Sequence, residues 1–80
     1  MRVSWVKEDA DFHTAECVLG IGHVMYLLVE SLGKHGWDWQ AWNPIDRRQT
    51  HYGVAETLEA AKVQAELALV RSTWRRVRAV

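Results

Sequence analysis

The chain has 80 residues, 49% of them hydrophobic and 25% charged, with a formal net charge of zero and one cysteine. That length supports one domain around a single modest core, and no apolar run reaches the ~18 residues that a membrane-spanning helix needs. The balanced charge argues against a strongly acidic nucleic-acid mimic and against a purely electrostatic nucleic-acid binder.

The N-terminal segment MRVSWVKEDAD has no long apolar stretch of the secretory kind, and Cys17 has no second cysteine to bond. Both features point to a reducing, cytoplasmic setting. The charges are polarised along the chain. Residues 1–46 carry seven acidic and three basic side chains, a balance of −4, and residues 47–80 carry three acidic and seven basic, a balance of +4.

Val3 to Val6 and Phe12 to Leu19 read as two strands of a hairpin, joined by the acidic turn Lys7-Glu8-Asp9-Ala10-Asp11. In the second of these, Ala15, Cys17 and Leu19 share one face, and Thr14 and Glu16 the other. Residues 21–30, IGHVMYLLVE, carry apolar side chains at both parities, which suits a central strand and leaves open which parity faces the core. Gly33 and Gly36 supply a turn into WDWQAWN, an alternating strand with Trp37, Trp39 and Ala41 on one face and Asp38, Gln40 and Trp42 on the other. Asn43-Pro44 ends it, and a polar connection over Asp46 to Thr50 leads to a short strand at His51 and Tyr52.

A helix closes the chain, with Thr57 placed to cap it and Glu59 in its first turn, where the helix dipole favours a negative charge. At 100° per residue it presents two apolar stripes. Leu58, Ala61, Ala65, Ala68, Leu69 and Ser72 form the first, and Val63, Leu67, Val70, Trp74 and Val77 the second. The alanine-rich stripe suits close approach to a sheet bearing large side chains and is assigned to the core. The second stripe then calls for a cover, most simply a second copy, which makes Val63, Leu67, Val70 and Trp74 a candidate homodimer interface. The alternatives are an inverted assignment, or a tail that folds Trp74 back over the sheet edge. The whole is an α+β domain over residues 1–80: an antiparallel sheet of three to five strands in residues 1–53, packed by one long C-terminal helix in residues 56–78.

The segments YLLVESLGKHGWDWQAW and YGVAETLEAAKVQAELAL together resemble a broad set of small phage and mobile-element proteins, built as a β-meander closed by a C-terminal helix. The shared pattern is an aromatic strand, a glycine turn, a W-x-W strand and a helix entry carrying Gly53, Ala55, Thr57, Leu58, Ala61 and Lys62. Some anti-CRISPR inhibitors are similar in size and layout. The β-β-β-α module of HicB-like antitoxins is similar at its T-L-E-E-A helix entry, although this chain lacks the extra DNA-binding segment many of them carry. The resemblance implies a non-enzymatic protein of the host-cell cytoplasm that binds and inhibits a bacterial defence complex, with a CRISPR effector as the expected partner. The rival expectation is a HicB-like or double-stranded-RNA-binding-like module for nucleic acid or a toxin.

The residues themselves offer little chemistry. His13, His23, His35 and His51 have no metal-ligand spacing, and no Gly-rich phosphate loop or paired carboxylate motif stands out, so neither a cofactor nor an enzyme is expected. A pairing of Cys17 with His13 or His23 as nucleophile and base is weighed against a thiol buried on the inner face of a strand. Arg47, Arg48, Arg75, Arg76 and Arg78 are candidate partner-binding residues, able to pair with carboxylates or phosphates; together with Arg71 the helical ones also suit a helix C-terminus for its dipole alone. Tyr26 and Trp42 are either stacking platforms on an outer sheet face or core and interface anchors.

Overall fold

The structure, a computed structural model, describes residues 2–18, 24–44 and 50–79, with the side chains of Arg2 and of residues 71–79 left aside. Five strands, β1 (Arg2–Asp9), β2 (Phe12–Val18), β3 (Val24–Ser31), β4 (Trp37–Trp42) and β5 (His51–Ala55), precede one helix, α1 (Leu58–Ala79). Each strand pairs antiparallel with the next, so spatial order equals chain order. The fold is α+β, at the upper end of the expected strand count.

β1 runs further than expected. Lys7, Glu8 and Asp9 belong to the strand, and only Ala10 and Asp11 make the turn. Local hydrogen bonds explain the extension: Thr14 Oγ1 donates to Glu8 Oε1 at 3.0 Å across the hairpin, and the Asp11 amide donates to Asp9 Oδ1 at 2.8 Å. A register shift between Lys7 and Asp9 absorbs the extra residue. Because these charged side chains stay exposed, extending the ladder desolvates none of them.

β3 is apolar at both parities, and its neighbours decide which parity is buried. Apart from Asp9 and Phe12 beyond the register shift, every ladder joins odd residues to odd ones, as in Trp5 to Ala15, Ala15 to Leu27, Leu27 to Ala41 and Ala41 to His51. Met25, Leu27 and Val29 are therefore on the inner face and fully buried with Ala15, Cys17 and Ala41, while Val24, Tyr26 and Leu28 are half-buried on the outer face. The β3–β4 turn uses positive φ at Gly33 (66°) and Gly36 (100°). At Gly36 a Cβ would also collide with the carbonyl oxygen of Ala55, where β5 ends.

Helix α1 begins as expected: Thr57 Oγ1 accepts a hydrogen bond from the Ala60 amide at 3.1 Å. It packs across β3, β4 and β5 with Ala61, Ala65, Ala68 and Leu69 buried. The alanine stripe is thus the core stripe, and the inverted assignment is excluded. Val63, Leu67 and Val70 of the second stripe are 53%, 46% and 46% exposed.

Alanine on the helix is matched by tryptophan on the sheet. The Trp39 indole crosses from β4 over Gly53 of β5, and its Nε1 donates to Gln64 Oε1 of α1 at 2.8 Å. A Cβ at Gly53 would lie 2.8 Å from three atoms of that ring. At the opposite side of the sheet Trp5 is half-buried with Lys62 Nζ 5.5 Å from its ring centroid, and its Nε1 is buried without a hydrogen-bond partner among the described residues.

His13 is buried on the inner face, with its ring edge-on to Trp37 at 6.2 Å between centroids. Its pKa is lowered from 6.5, first by desolvation and then by the positive charges of Lys62 and Lys7, with Asp9 and Glu59 opposing in part. The folded state therefore holds fewer protons than the unfolded chain just below pH 6.5, so this contribution is fully present above the unfolded pKa and is lost as pH falls through it towards the folded value.

Two measurements follow from this packing. Gly53→Ala is expected to cost about 1 to 3 kcal/mol, because the indole has to shift or the strands have to spread. For a domain of this size that lowers the Tm by roughly 4 to 8 °C per kcal/mol. In a Trp39→Phe background, which lacks the ring atoms that meet the new Cβ, the same substitution is expected to cost less; equal costs in both backgrounds rule out the collision. On acidification from neutral pH to below 6.5, wild type is expected to lose more Tm than His13→Gln does, and parallel Tm–pH curves exclude His13 as the group responsible.

Candidate docking surface on the open sheet face

One helix covers one face of the sheet, so the side chains of even-numbered strand residues form a second face with no layer over it among the described residues. The registers set out its rows. Ser4, Glu16, Tyr26 and Trp42 lie side by side across β1 to β4, and Val6, Thr14, Leu28 and Gln40 form the next row. Tyr26 and Trp42 pack with ring centroids 5.9 Å apart and planes tilted by 39°. They border a shallow concavity of about 620 Å³ that Val6, Glu8, Glu16 and Val18 also line. Val6 and Val18 are 54% and 57% exposed, an unusual setting for β-branched side chains in a sheet this small.

The described charges on this face have one sign. Glu8, Glu16, Glu30 and Asp38 occupy outer positions; Arg2, opposite Val18 at the start of β1, is the basic residue at such a position among the described strands, and its side chain lies outside the described residues. Glu30 and Asp38 are direct cross-strand partners, an arrangement that costs stability through like-charge repulsion. Gln40 Nε2 donates a long 3.4 Å hydrogen bond to Asp38 Oδ2, which offsets little of it. Tyr26 and Trp42 thus sit on the outer face, where stacking on nucleobases was one expectation. The carboxylates around them would repel the phosphates such a ligand brings with it.

The sequence-based site residues fare differently. Arg47 and Arg48 lie outside the described residues, as do the side chains of Arg71, Arg75, Arg76 and Arg78 on the described backbone of α1. Of the proposed dimer stripe, Val63, Leu67 and Val70 are exposed, and the side chain of Trp74 lies outside the described residues. The acidic face is absent from the sequence-based expectations, because its members are far apart in the chain and only strand parity joins them. The signal was present in Glu30 and Asp38, at even positions in strands with large apolar side chains at most of the odd ones, and in Glu16, which alternates with Ala15 and Cys17.

Cys17 and His13 do not form a nucleophile–base pair. Cys17 and His13 share the inner face of one strand, but four residues of extended chain separate them by roughly 13 Å, too far for proton transfer. Cys17 is itself fully buried, and His23 lies outside the described residues. Among the described residues, no group of three or more His, Cys, Asp or Glu side chains converges in a metal-binding arrangement, and no helix is long and apolar enough to cross a membrane. No protein-family model matches the sequence, no curated protein matches it, and no solved structure matches the chain.

Proposed function

We propose that the chain is a non-enzymatic binding protein whose open sheet face docks on a basic surface of a macromolecular partner and blocks it. The observation that carries this reading is the composition of that face: exposed valines around an aromatic pair, four carboxylates and no described cation. Apolar side chains left in water at about 1.5 to 3 kcal/mol each are a source of binding free energy once covered. The Glu30–Asp38 pair adds specificity, because an arginine or lysine from a partner turns a repulsive pair into an attractive one. Basic protein surfaces of this kind are what nucleic-acid-handling complexes present to their substrates. The resemblance to small phage and mobile-element inhibitors supports a bacterial CRISPR effector as the target.

A second reading is favoured by the +4 balance of residues 47–80, which suits a HicB-like or double-stranded-RNA-binding-like module using its arginines. Such a module would bind through the other end of the molecule, since phosphates and the acidic face repel one another.

The test uses purified CRISPR effectors of several types, an interference assay in cells, and two paired variants. Wild type is expected to bind stoichiometrically and to protect phage. Glu30→Lys with Asp38→Lys is expected to weaken binding by more than about tenfold while circular dichroism and Tm hold, since exposed charges contribute little to stability. Arg75→Glu with Arg76→Glu is expected to retain inhibition. If the arginine variant loses activity and the lysine variant keeps it, the docking surface is wrong. A wild-type protein that inhibits no effector, yet binds RNA or DNA with a steep loss in salt, replaces this reading with the nucleic-acid module.

A further inference from the structure

The sheet ends at two edge strands that differ in composition, and an edge strand offers its backbone for pairing with another chain. β1 carries Lys7, Glu8 and Asp9, all exposed, and a register shift that twists the strand there. These are the usual protections of an edge. β5 has none of them: HYGVA contains no charged residue and no proline, and it pairs with β4 through five residues without a shift. No strand lies beyond β5 among the described residues.

The surroundings of β5 point the same way. A groove of about 600 Å³ lies between it and α1, lined by Trp39, Tyr52, Gln64 and Leu67 among others, with no Asp, Glu, Lys or Arg in its lining. Leu67 is the member of the second helix stripe that borders the groove. Tyr52 and Val54 are 77% and 57% exposed, the least buried large hydrophobic side chains of the sheet's outer face together with Val18.

We propose that β5 pairs antiparallel with β5 of a second copy about a two-fold axis at Gly53, joining the two sheets into one. The occupant follows from the strand's own sequence. In this register Gly53 meets Gly53 of the copy, and Tyr52 stands opposite Val54 of the copy, twice by symmetry. Aromatic with β-branched is one of the favourable cross-strand combinations, so the two exposed side chains cover each other. Odd residues again meet odd ones, which keeps both helices on one side of the joined sheet and both acidic faces on the other. The contact is isologous and closes on itself, so it yields a dimer and stops there. A charged peptide would find nothing in the groove to select it. This dimer uses Leu67 at its margin and places its centre on β5, away from Val63 and Val70.

Size-exclusion chromatography with light scattering tests the pairing directly. Wild type is expected at twice the chain mass at high micromolar concentration. Tyr52→Glu with Val54→Glu sets like charges opposite each other in both pairs and is expected to raise the dimer dissociation constant by more than about tenfold, with circular dichroism unchanged. Tyr52→Lys with Val54→Glu sets opposite charges face to face and is expected to recover the dimer. A monomeric wild type overturns the proposal, as does a double-glutamate variant that remains dimeric. If both charge variants are monomeric, the register about Gly53 is overturned. Oligomeric state is read here without any target, so the outcome is independent of the docking surface on β1 to β4.

Discussion

The contact on which the rest depends is the passage of the Trp39 indole over Gly53 to reach Gln64. It ties β4, β5 and α1 together with one side chain. Without a Cβ at 53 the ring lies flat over the β5 backbone, and with alanines at 61, 65 and 68 the helix descends far enough to meet it. A larger residue on either side would lift α1 from the sheet and leave Leu27, Val29 and Leu69 without the close packing that protein interiors need. The same contact fixes which face becomes the core. Once Trp39 points towards α1, the alternation of every strand follows, and Tyr26, Leu28 and Trp42 turn outward.

Much of this layout was legible in the residues. The W-x-W strand, the glycine turn, the Thr57 cap and the alanine stripe are local patterns, each set by neighbours within a few positions, and each sits in the structure where its chemistry places it. Two features were not legible for physical reasons. β3 is apolar at both parities, and its outer residues Val24, Tyr26 and Leu28 are half-buried with no layer over them among the described residues, so its sequence contains no contrast from which to choose a face. The reach of β1 depends on the Thr14–Glu8 and Asp11–Asp9 hydrogen bonds, and an acidic run reads as a turn until its cross-strand partner is known. The acidic outer face is a long-range property of the same sort, assembled by register from four strands.

Register also changes how the charge is understood. Along the chain the polarity runs from an acidic first part to a basic second part. In the structure the outer face gathers carboxylates from four strands. The outer face holds Glu8, Glu16, Glu30 and Asp38, while Lys7 and Lys62 act on the inner-face His13 to lower its pKa beyond what burial does, with Asp9 and Glu59 opposing them there. Lys62 also stands over the Trp5 ring, where a cation gains from the quadrupole and helps shield an indole whose Nε1 has no described partner. The carboxylates of the outer face remain unpaired with lysine among the described residues, and that unneutralised field is what a basic partner would complete.

The open face and the bare edge are separate surfaces, but the fold links their consequences. Pairing at β5 preserves parity, so a two-fold dimer would lay two acidic, aromatic faces edge to edge on one side of a continuous sheet. A partner with two basic sites, or a polymeric complex with repeated ones, could then engage both, and the second contact would form at the high effective concentration that a rigid connection provides. A small face that binds modestly by itself gains occupancy in this way without any new contact chemistry. Protection of β1 by charge and bulge fits the same arrangement, because a sheet extended from both edges would polymerise, whereas one protected edge limits assembly to a closed pair.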